Sequence, residues 1–193
     1  SNVKATDIES IVKLAKEKSV GLVVVGPEQP LVEGLADALE SCGIKCFGPS
    51  AKAAEIEGSK AFSKDLMAKY DVPTAEYRNF KKYEEALKYL RSKSDASRLV
   101  IKASGIAAGK GVILPESQEE AEAALSEIML DKRFGQAGAE VVIEERLDGE
   151  ECSLLAFTDG TTVKLMPGTF SFFNLISVTH THTHTPNENR SPR

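Results

Sequence analysis

Tryptophan is absent from the 193-residue sequence and aromatic residues make up only 6% of it, so any core must be aliphatic. Cysteine is scarce: Cys42, Cys46 and Cys152 form an odd set without paired spacing. That excludes a disulfide framework and reads as reduced thiols in a cytoplasmic protein. Cys42 and Cys46 straddle a predicted helix end and strand, which argues against a metal clip. No apolar run approaches the roughly 20 residues a bilayer span requires. The opening SNVKATDIES has neither the basic nor the apolar region of a secretory signal. Positive charge is not in excess; the net charge is −5 with scattered basic residues, which counts against a nucleic-acid surface. What is present is 41% hydrophobic residues, enough for a soluble core, in a length that holds one medium domain or two small ones.

Asp7 to Lys18 puts Ile8, Ile11, Val12 and Leu14 on one helical stripe. Val20 to Val25 is a continuous apolar run rich in β-branched residues, the pattern of a strand buried on both faces. Gly26 to Pro30 breaks it, Leu31 to Ser41 reads as one helix with Leu31, Leu35, Ala38 and Leu39 inward, Gly43 as its C-cap, and Ile44 to Phe47 as a short strand. This α-β-α-β order predicts the end of a doubly wound parallel-sheet domain over residues 1–50, entered after its first strand, so that apolar faces are left uncovered. A linking helical segment follows over 51–74, with a helix from Ser59 to Tyr70 closed by Asp71-Val72-Pro73.

Residues 75–167 carry the pattern of an antiparallel sheet with helices. Strands are expected at Tyr77–Phe80, Leu99–Ala103, Val112–Leu114, Glu140–Glu145, Cys152–Phe157 and Thr161–Leu165. Helices are expected at Tyr83–Arg91 and, after a capping box of Ser117 and Glu120, up to about Leu130. Asp159-Gly160 is a hairpin turn. Residues 168–193 read as a low-complexity tail. Its His180, His182 and His184 alternate with threonines. On a strand they would share one face as a possible metal site, but the alternation is also what a translated CA-dinucleotide repeat gives, so the tail is expected to be read-through of non-coding sequence.

The strongest chemical signal is VIKASGIAAGKGV, residues 100–112. A buried strand delivers Lys102 and opens into a loop of small residues, Ser104 to Gly111. Small side chains let backbone N–H groups approach an anion, and Lys102 and Lys110 would neutralise a polyphosphate. Neither the P-loop nor the dinucleotide-binding fingerprint is present. Inside an apolar strand an unpaired ammonium is costly, which favours a phosphate-binding role over a mobile glycine hairpin with a solvated Lys110. About 40 residues on, VIEERLDGEE ends a strand in carboxylates, where freed backbone groups could meet a purine edge. Lys60 opens a helix against the macrodipole, which is tolerable if an anion lies between them.

Together, VVVGPEQPLVEGLAD, CFGPSAKAAEIEGSKAFSKDLM, VPTAEY, VIKASGIAAGKGVI and VIEERLDGEE resemble the glycinamide ribonucleotide synthetases (phosphoribosylamine–glycine ligases) of the ATP-grasp superfamily. The resemblance runs from about Asp7 to Pro167. It implies a fold of α/β and α+β type, the end of a parallel-sheet N-domain followed by the first part of an ATP-grasp domain. It implies that Lys60 and Lys102 contact the phosphates of ATP. The loop with Gly105, Gly109, Lys110 and Gly111 would close over them, Glu144, Glu145, Arg146 and Leu147 would line the adenine, and Glu151 would hold the ribose. The implied reaction is ATP-dependent ligation of glycine to 5-phosphoribosylamine through a glycyl phosphate, in de novo purine synthesis. ATP, glycine and phosphoribosylamine are the expected partners, and the parent can be part of a multifunctional purine enzyme.

The family's opening phosphate loop and its later metal-binding Glu and Asn residues have no counterpart here. Mg²⁺ or Mn²⁺ is therefore expected for the family without ligands from this chain, and the chain alone is expected to be inactive. The alternatives are a non-catalytic ATP-binding or regulatory fragment and another ATP-grasp carboxylate–amine ligase; GPEQPLVEG and SKAFSK disfavour the latter.

Overall fold

The computed structural model describes residues 3–107, 109–150, 152–166 and 169–170. The Asp7 carboxylate accepts from the Ser10 N–H at 3.1 Å and opens α1 (Ile8–Glu17). β1 (Val23–Val24), α2 (Glu28–Val32), α3 (Leu35–Ser41) and β2 (Cys46–Phe47) follow, and β2 pairs in parallel with β1. Apolar residues of α1, Ile8, Ile11, Val12 and Ala15, pack with Leu35, Leu39 and Ile44 against Val23 and Val25.

Two expectations fail in this region. The single helix from Leu31 to Ser41 is two helices, because Gly34 takes φ +95° between them, a left-handed conformation that glycine alone adopts without cost. The run from Val20 to Val25 is also not buried on both faces: Leu22 and Val24 are 54% and 65% exposed. The helices cover one face of this two-stranded sheet, so alternate side chains of β1 point to open surface. Phe47 stands on that surface, its ring 5.9 Å from that of Phe157.

Two helices then turn the chain towards a second sheet. α4 (Ala51–Gly58) is capped by Ser50 and α5 (Lys60–Lys69) by Ser59, whose hydroxyl accepts from the Phe62 N–H at 3.2 Å. Next come β3 (Tyr77–Phe80), α6 (Tyr83–Arg91), β4 (Leu99–Ala103), β5 (Val112–Ile113), α7 (Gln118–Met129) and β6 (Val141–Glu145). The strands form one antiparallel sheet in the order β3-β6-β4-β5. The fold class is thus the expected one, a parallel-sheet unit followed by an antiparallel sheet with helices.

On one face of the second sheet Leu99, Ile101, Ala103, Val141 and Ile143 meet Leu90 of α6 and Leu125 and Ile128 of α7, all buried. Arg91 clamps Glu122 through two hydrogen bonds of 2.8 and 2.6 Å and joins the two helices at the rim. The capping box of α7 is half formed: Ser117 Oγ accepts from the Glu120 N–H, but the Glu120 carboxylate accepts from the Glu116 N–H instead of turning back to Ser117.

The expected strand over Cys152–Phe157 is broken at Leu154-Leu155 into β7 (Cys152–Ser153) and β8 (Ala156–Thr158). β8 forms the expected hairpin with β9 (Val163–Leu165), its turn fixed by Asp159 Oδ1, which accepts from the Thr161 and Thr162 N–H groups. β7 pairs instead with β10 (Thr169–Phe170), inside the segment read as tail. Residues 171–193, with His180, His182 and His184, lie outside the described residues, as do Ala108 and Glu151.

Candidate functional site

Side chains alternate along β4, so with Leu99, Ile101 and Ala103 committed to the helix-covered face, Val100 and Lys102 lie on the other. β6 obeys the same rule. In the register Lys102 stands opposite Val142 and Val100 opposite Glu144, which makes Lys102 and Glu144 diagonal neighbours on one face. They form an ion pair through Nζ and Oε1. Lys64 Nζ of α5 lies 2.6 Å from the second carboxylate oxygen of Glu144, an ion pair by distance without the alignment of a hydrogen bond, and donates to Thr74 Oγ1 at 2.6 Å. The cluster is shut away from water: Lys64 is 7% exposed, Lys102 4% and Glu144 2%.

Burial pulls the Lys102 ammonium below the usual lysine range; Glu144 opposes the drop, and the nearby Lys64 and Lys60 charges add to it. Burial pushes the Glu144 carboxyl up, but Lys102 and Lys64 outweigh it and hold the group below the usual carboxylate range. Lys60, in the first turn of α5, donates through Nζ to the Gly105 carbonyl at 3.2 Å. Burial lowers its pKa as well, against the opposing charge of Glu57. Two buried lysines share one carboxylate and a third stands close by, so positive charge is left over.

The glycine loop leaves β4 beside these lysines and is stapled to the start of α5. Ser104 Oγ accepts from the Ala61 N–H at 3.1 Å and meets Ser59 Oγ at 3.2 Å, while the Ser104 carbonyl accepts from the Lys60 N–H at 2.8 Å. Gly105 passes so close to Ala137 that a Cβ there would lie 2.6 Å from the Ala137 Cα. The donor nest expected of the whole Ser104–Gly111 segment is narrower than its sequence suggests. The N–H groups of Ser104, Gly105 and Lys110 donate to the carbonyls of Glu140, Ala137 and Ala107 and are not free for an anion. Gly109 has φ +75°, Lys110 is exposed and Gly111 is buried. An open cavity of about 330 Å³ adjoins the loop, lined by Ser59, Ser104, Gly105, Ala137 and Glu140 among others; Lys102 is not in its wall.

At the other end of the ladder, where Glu145 pairs with Leu99, the expectation of free backbone donors is corrected. The Glu145 N–H donates to the Glu76 carbonyl at 2.9 Å and the Arg146 N–H to the Arg98 carbonyl at 2.7 Å, since neighbouring segments continue the pairing past the strand. The Glu145 side chain, on the exposed end, accepts from the Glu76 N–H. Arg146 and Leu147 are exposed. The structure therefore gathers Lys60, Lys102, Gly105 and Glu144 at one place and sets Glu145 at the end of β6, with Arg146 and Leu147 after the strand. Lys64 and Ser104 were missed in the sequence. The signal for Lys64 was its position one helical turn after Lys60.

Residues 1–57 match the phosphoribosylglycinamide synthetase N domain, and residues 58–176 match the ATP-grasp (A) domain of the same synthetase. The chain belongs to the phosphoribosylglycinamide synthetase family. The junction of the two matched domains falls inside the helical segment 51–74. A phosphoribosylamine–glycine ligase of Haemophilus influenzae is 52% identical over 165 residues, which cover 86% of this chain and 38% of that protein. The trifunctional purine biosynthetic protein adenosine-3 of Homo sapiens is 51% identical over 165 residues, covering 86% of this chain and 16% of that protein. The crystal structure of phosphoribosylamine–glycine ligase from Thermotoga maritima superposes with a TM-score of 0.60 at 34% identity, covering 64% of this chain and 31% of that one. The chain thus spans well under half the length of these relatives.

Membership of an ATP-grasp family implies a divalent ion beside the nucleotide. Among the described residues no three His, Cys, Asp or Glu side chains come together to hold one. The chemistry this segment offers is that of lysines, a small-residue loop and one buried carboxylate.

Proposed function

We propose that the chain holds ATP, with the triphosphate under the Ser104–Gly111 loop, as part of a ligase that joins glycine to 5-phosphoribosylamine. The observation that carries this is that Lys64 and Lys102 share the single carboxylate of Glu144 while Lys60 stands close by on the Gly105 carbonyl of that loop, an excess of positive charge that an anion would complete. Lys60 and Lys102 would take the phosphates, with Lys110 at the loop tip and Gly105, Gly109 and Gly111 giving the backbone room to approach. The adenine would lie along Glu144, Glu145, Arg146 and Leu147, and Glu151 would meet the ribose. The phosphate end and the far end of β6 are four ladder residues apart, about 13 Å, the scale of an extended nucleotide.

In that reaction the glycine carboxylate attacks the γ-phosphorus and ADP leaves. The amine then attacks the carbonyl carbon of the glycyl phosphate, expelling phosphate and releasing a proton. Charge builds on the phosphoryl oxygens during the first step, and preorganised ammonium groups in a water-poor site stabilise it most effectively. The free thiols Cys42, Cys46 and Cys152 suit a cytoplasmic setting, and no described helix is long and apolar enough to cross a membrane.

Calorimetric titration of the chain with ATP should show saturable binding, and Lys102→Ala should weaken it by about tenfold or more, the loss of roughly one charge-assisted contact. Unchanged affinity would remove Lys102 from the site. For the reaction, the check is a full-length family ligase carrying this segment: Lys102→Ala there should raise the KM for ATP and suppress formation of glycinamide ribonucleotide. An unimpaired rate would detach the segment from the chemistry.

A further inference from the structure

We propose that Lys64 is a positioning residue that keeps Glu144 neutralised while Lys102 leaves it for the phosphates of the nucleotide. This rests on the nucleotide assignment above and adds an exchange of partners within the buried cluster. Glu144 holds one ammonium on each oxygen, and the two are not equivalent. Lys64 is anchored a second time, by Thr74 Oγ1 at 2.6 Å, and sits one turn deeper along α5 than Lys60, the lysine that meets the loop. Lys102 lies two residues before Ser104 and three before Gly105, the residues that lead into the loop and line the cavity. It is therefore the ammonium placed to move towards a ligand, and Lys64 the one placed to stay.

With a single lysine partner, that move would strand a carboxylate that is 2% exposed, and a lone buried charge is strongly disfavoured. With Lys64 in place, the departure of Lys102 leaves a neutral pair behind. Lys64 thus makes Lys102 available without binding the nucleotide itself.

The exchange has a proton signature. Facing Glu144 are Lys102 on β4, Lys64 on α5 and Tyr77, directly opposite on β3, with Lys60 of α5 close enough to act on Lys102. The Tyr77 phenol, half-buried and bonded to the Asp65 carboxylate, is pushed up to about 12 and does not titrate near neutrality. If Lys64 is lost, Glu144 can release Lys102 only by taking up a proton.

The test is calorimetric titration of the full chain with Mg·ATP between about pH 6 and 9, in buffers of different ionisation enthalpy, for the wild type, Lys64→Met and Lys64→Arg. Relative to wild type, Lys64→Met should take up close to one additional proton per nucleotide bound, and its Kd should rise by up to about tenfold more per pH unit. Lys64→Arg should restore the wild-type values. A merely structural Lys64 would change stability without changing the proton count. Should Lys64→Met not fold, the structure of the wild type with a non-hydrolysable ATP analogue decides. Lys102 moved off Glu144 with Lys64 still on it supports the exchange, whereas Lys102 still paired with Glu144 overturns it. ATP binding with an unchanged proton count in Lys64→Met overturns the exchange alone; a wild type that does not bind ATP removes the nucleotide assignment along with it.

Discussion

Replacing Glu144 with glutamine should destabilise the chain far more than replacing Lys102 with methionine, although both remove one charge from the same cluster. Glutamine fills the same space but leaves two ammonium groups, at 7% and 4% exposure, without a counter-charge. Breaking a buried pair from one side costs about 3–5 kcal/mol, which for a chain of this size lowers Tm by roughly 6–20 °C. Lys102→Met leaves Glu144 paired with Lys64 and sets an apolar side chain between strands rich in valine. Such replacements are nearly neutral, so its cost should be about 1 kcal/mol or less. Urea unfolding followed by circular dichroism, without nucleotide, measures both. Should Lys102→Met prove the costlier of the two, or Glu144→Gln cost under about 1 kcal/mol, the cluster would not be the electrostatic unit described. The methionine variant should then be folded yet poor in ATP binding, which separates stability from function.

The same pair has a defined pH signature. The folded-state pKa of Glu144 lies below its ordinary 4.5, so its stabilising contribution is complete above that value and is lost as pH falls through the folded one. The difference in stability between wild type and Glu144→Gln should therefore be constant at neutral pH and shrink below about pH 4.5. The lowered pKa of Lys102 acts in the opposite sense: the buried ammonium is a burden at neutral pH, relieved as pH rises through its lowered value towards 10.5.

Gly105→Ala drives a Cβ to within 2.6 Å of the Ala137 backbone, so overpacking should cost about 1–3 kcal/mol in a urea melt and disturb the loop that starts there. Leu125→Ala, in the centre of the α6–α7 face, should cost about 2–5 kcal/mol by the same measurement. In an ultraviolet titration one of the four tyrosines should ionise near pH 12, and Asp65→Asn should bring Tyr77 back only part of the way towards 10, because burial is the larger cause of its shift.

Local signals located most of the ATP-grasp elements. Tyr77–Phe80, Tyr83–Arg91 and Leu99–Ala103 have the expected bounds, since their apolar periodicity, turn residues and burial agree. Where the outcome depended on what lies against an element, sequence was insufficient. A run of valines cannot say whether one face or both will be covered, and Val24 is exposed because the helices pack on the other side. The break at Gly34 was visible as a glycine but not as a positive φ. The cost of an unpaired Lys102 followed from its apolar strand, but its pairing with Glu144 depends on the β4–β6 register, a relation between residues 42 positions apart. Lys64 was overlooked because a helical surface lysine is ordinarily solvated; only the seating of α5 against the sheet buries it.

That burial bears on why the cluster exists at all. The opposite face of the same sheet shows what the chain does when stability alone decides: Ile101, Val141 and Ile143 are fully buried and apolar. Placing two lysines and a glutamate on the other face forgoes that packing, and apolar substitutes of similar volume are often as stable or more so. The charge imbalance is a further cost, because two ammonium groups share one carboxylate with Lys60 close by. A purely structural ion pair would need neither the second buried lysine nor the third one near it. Such an arrangement would gain on receiving negative charge beside a loop able to approach it, which is what the proposed anion site requires.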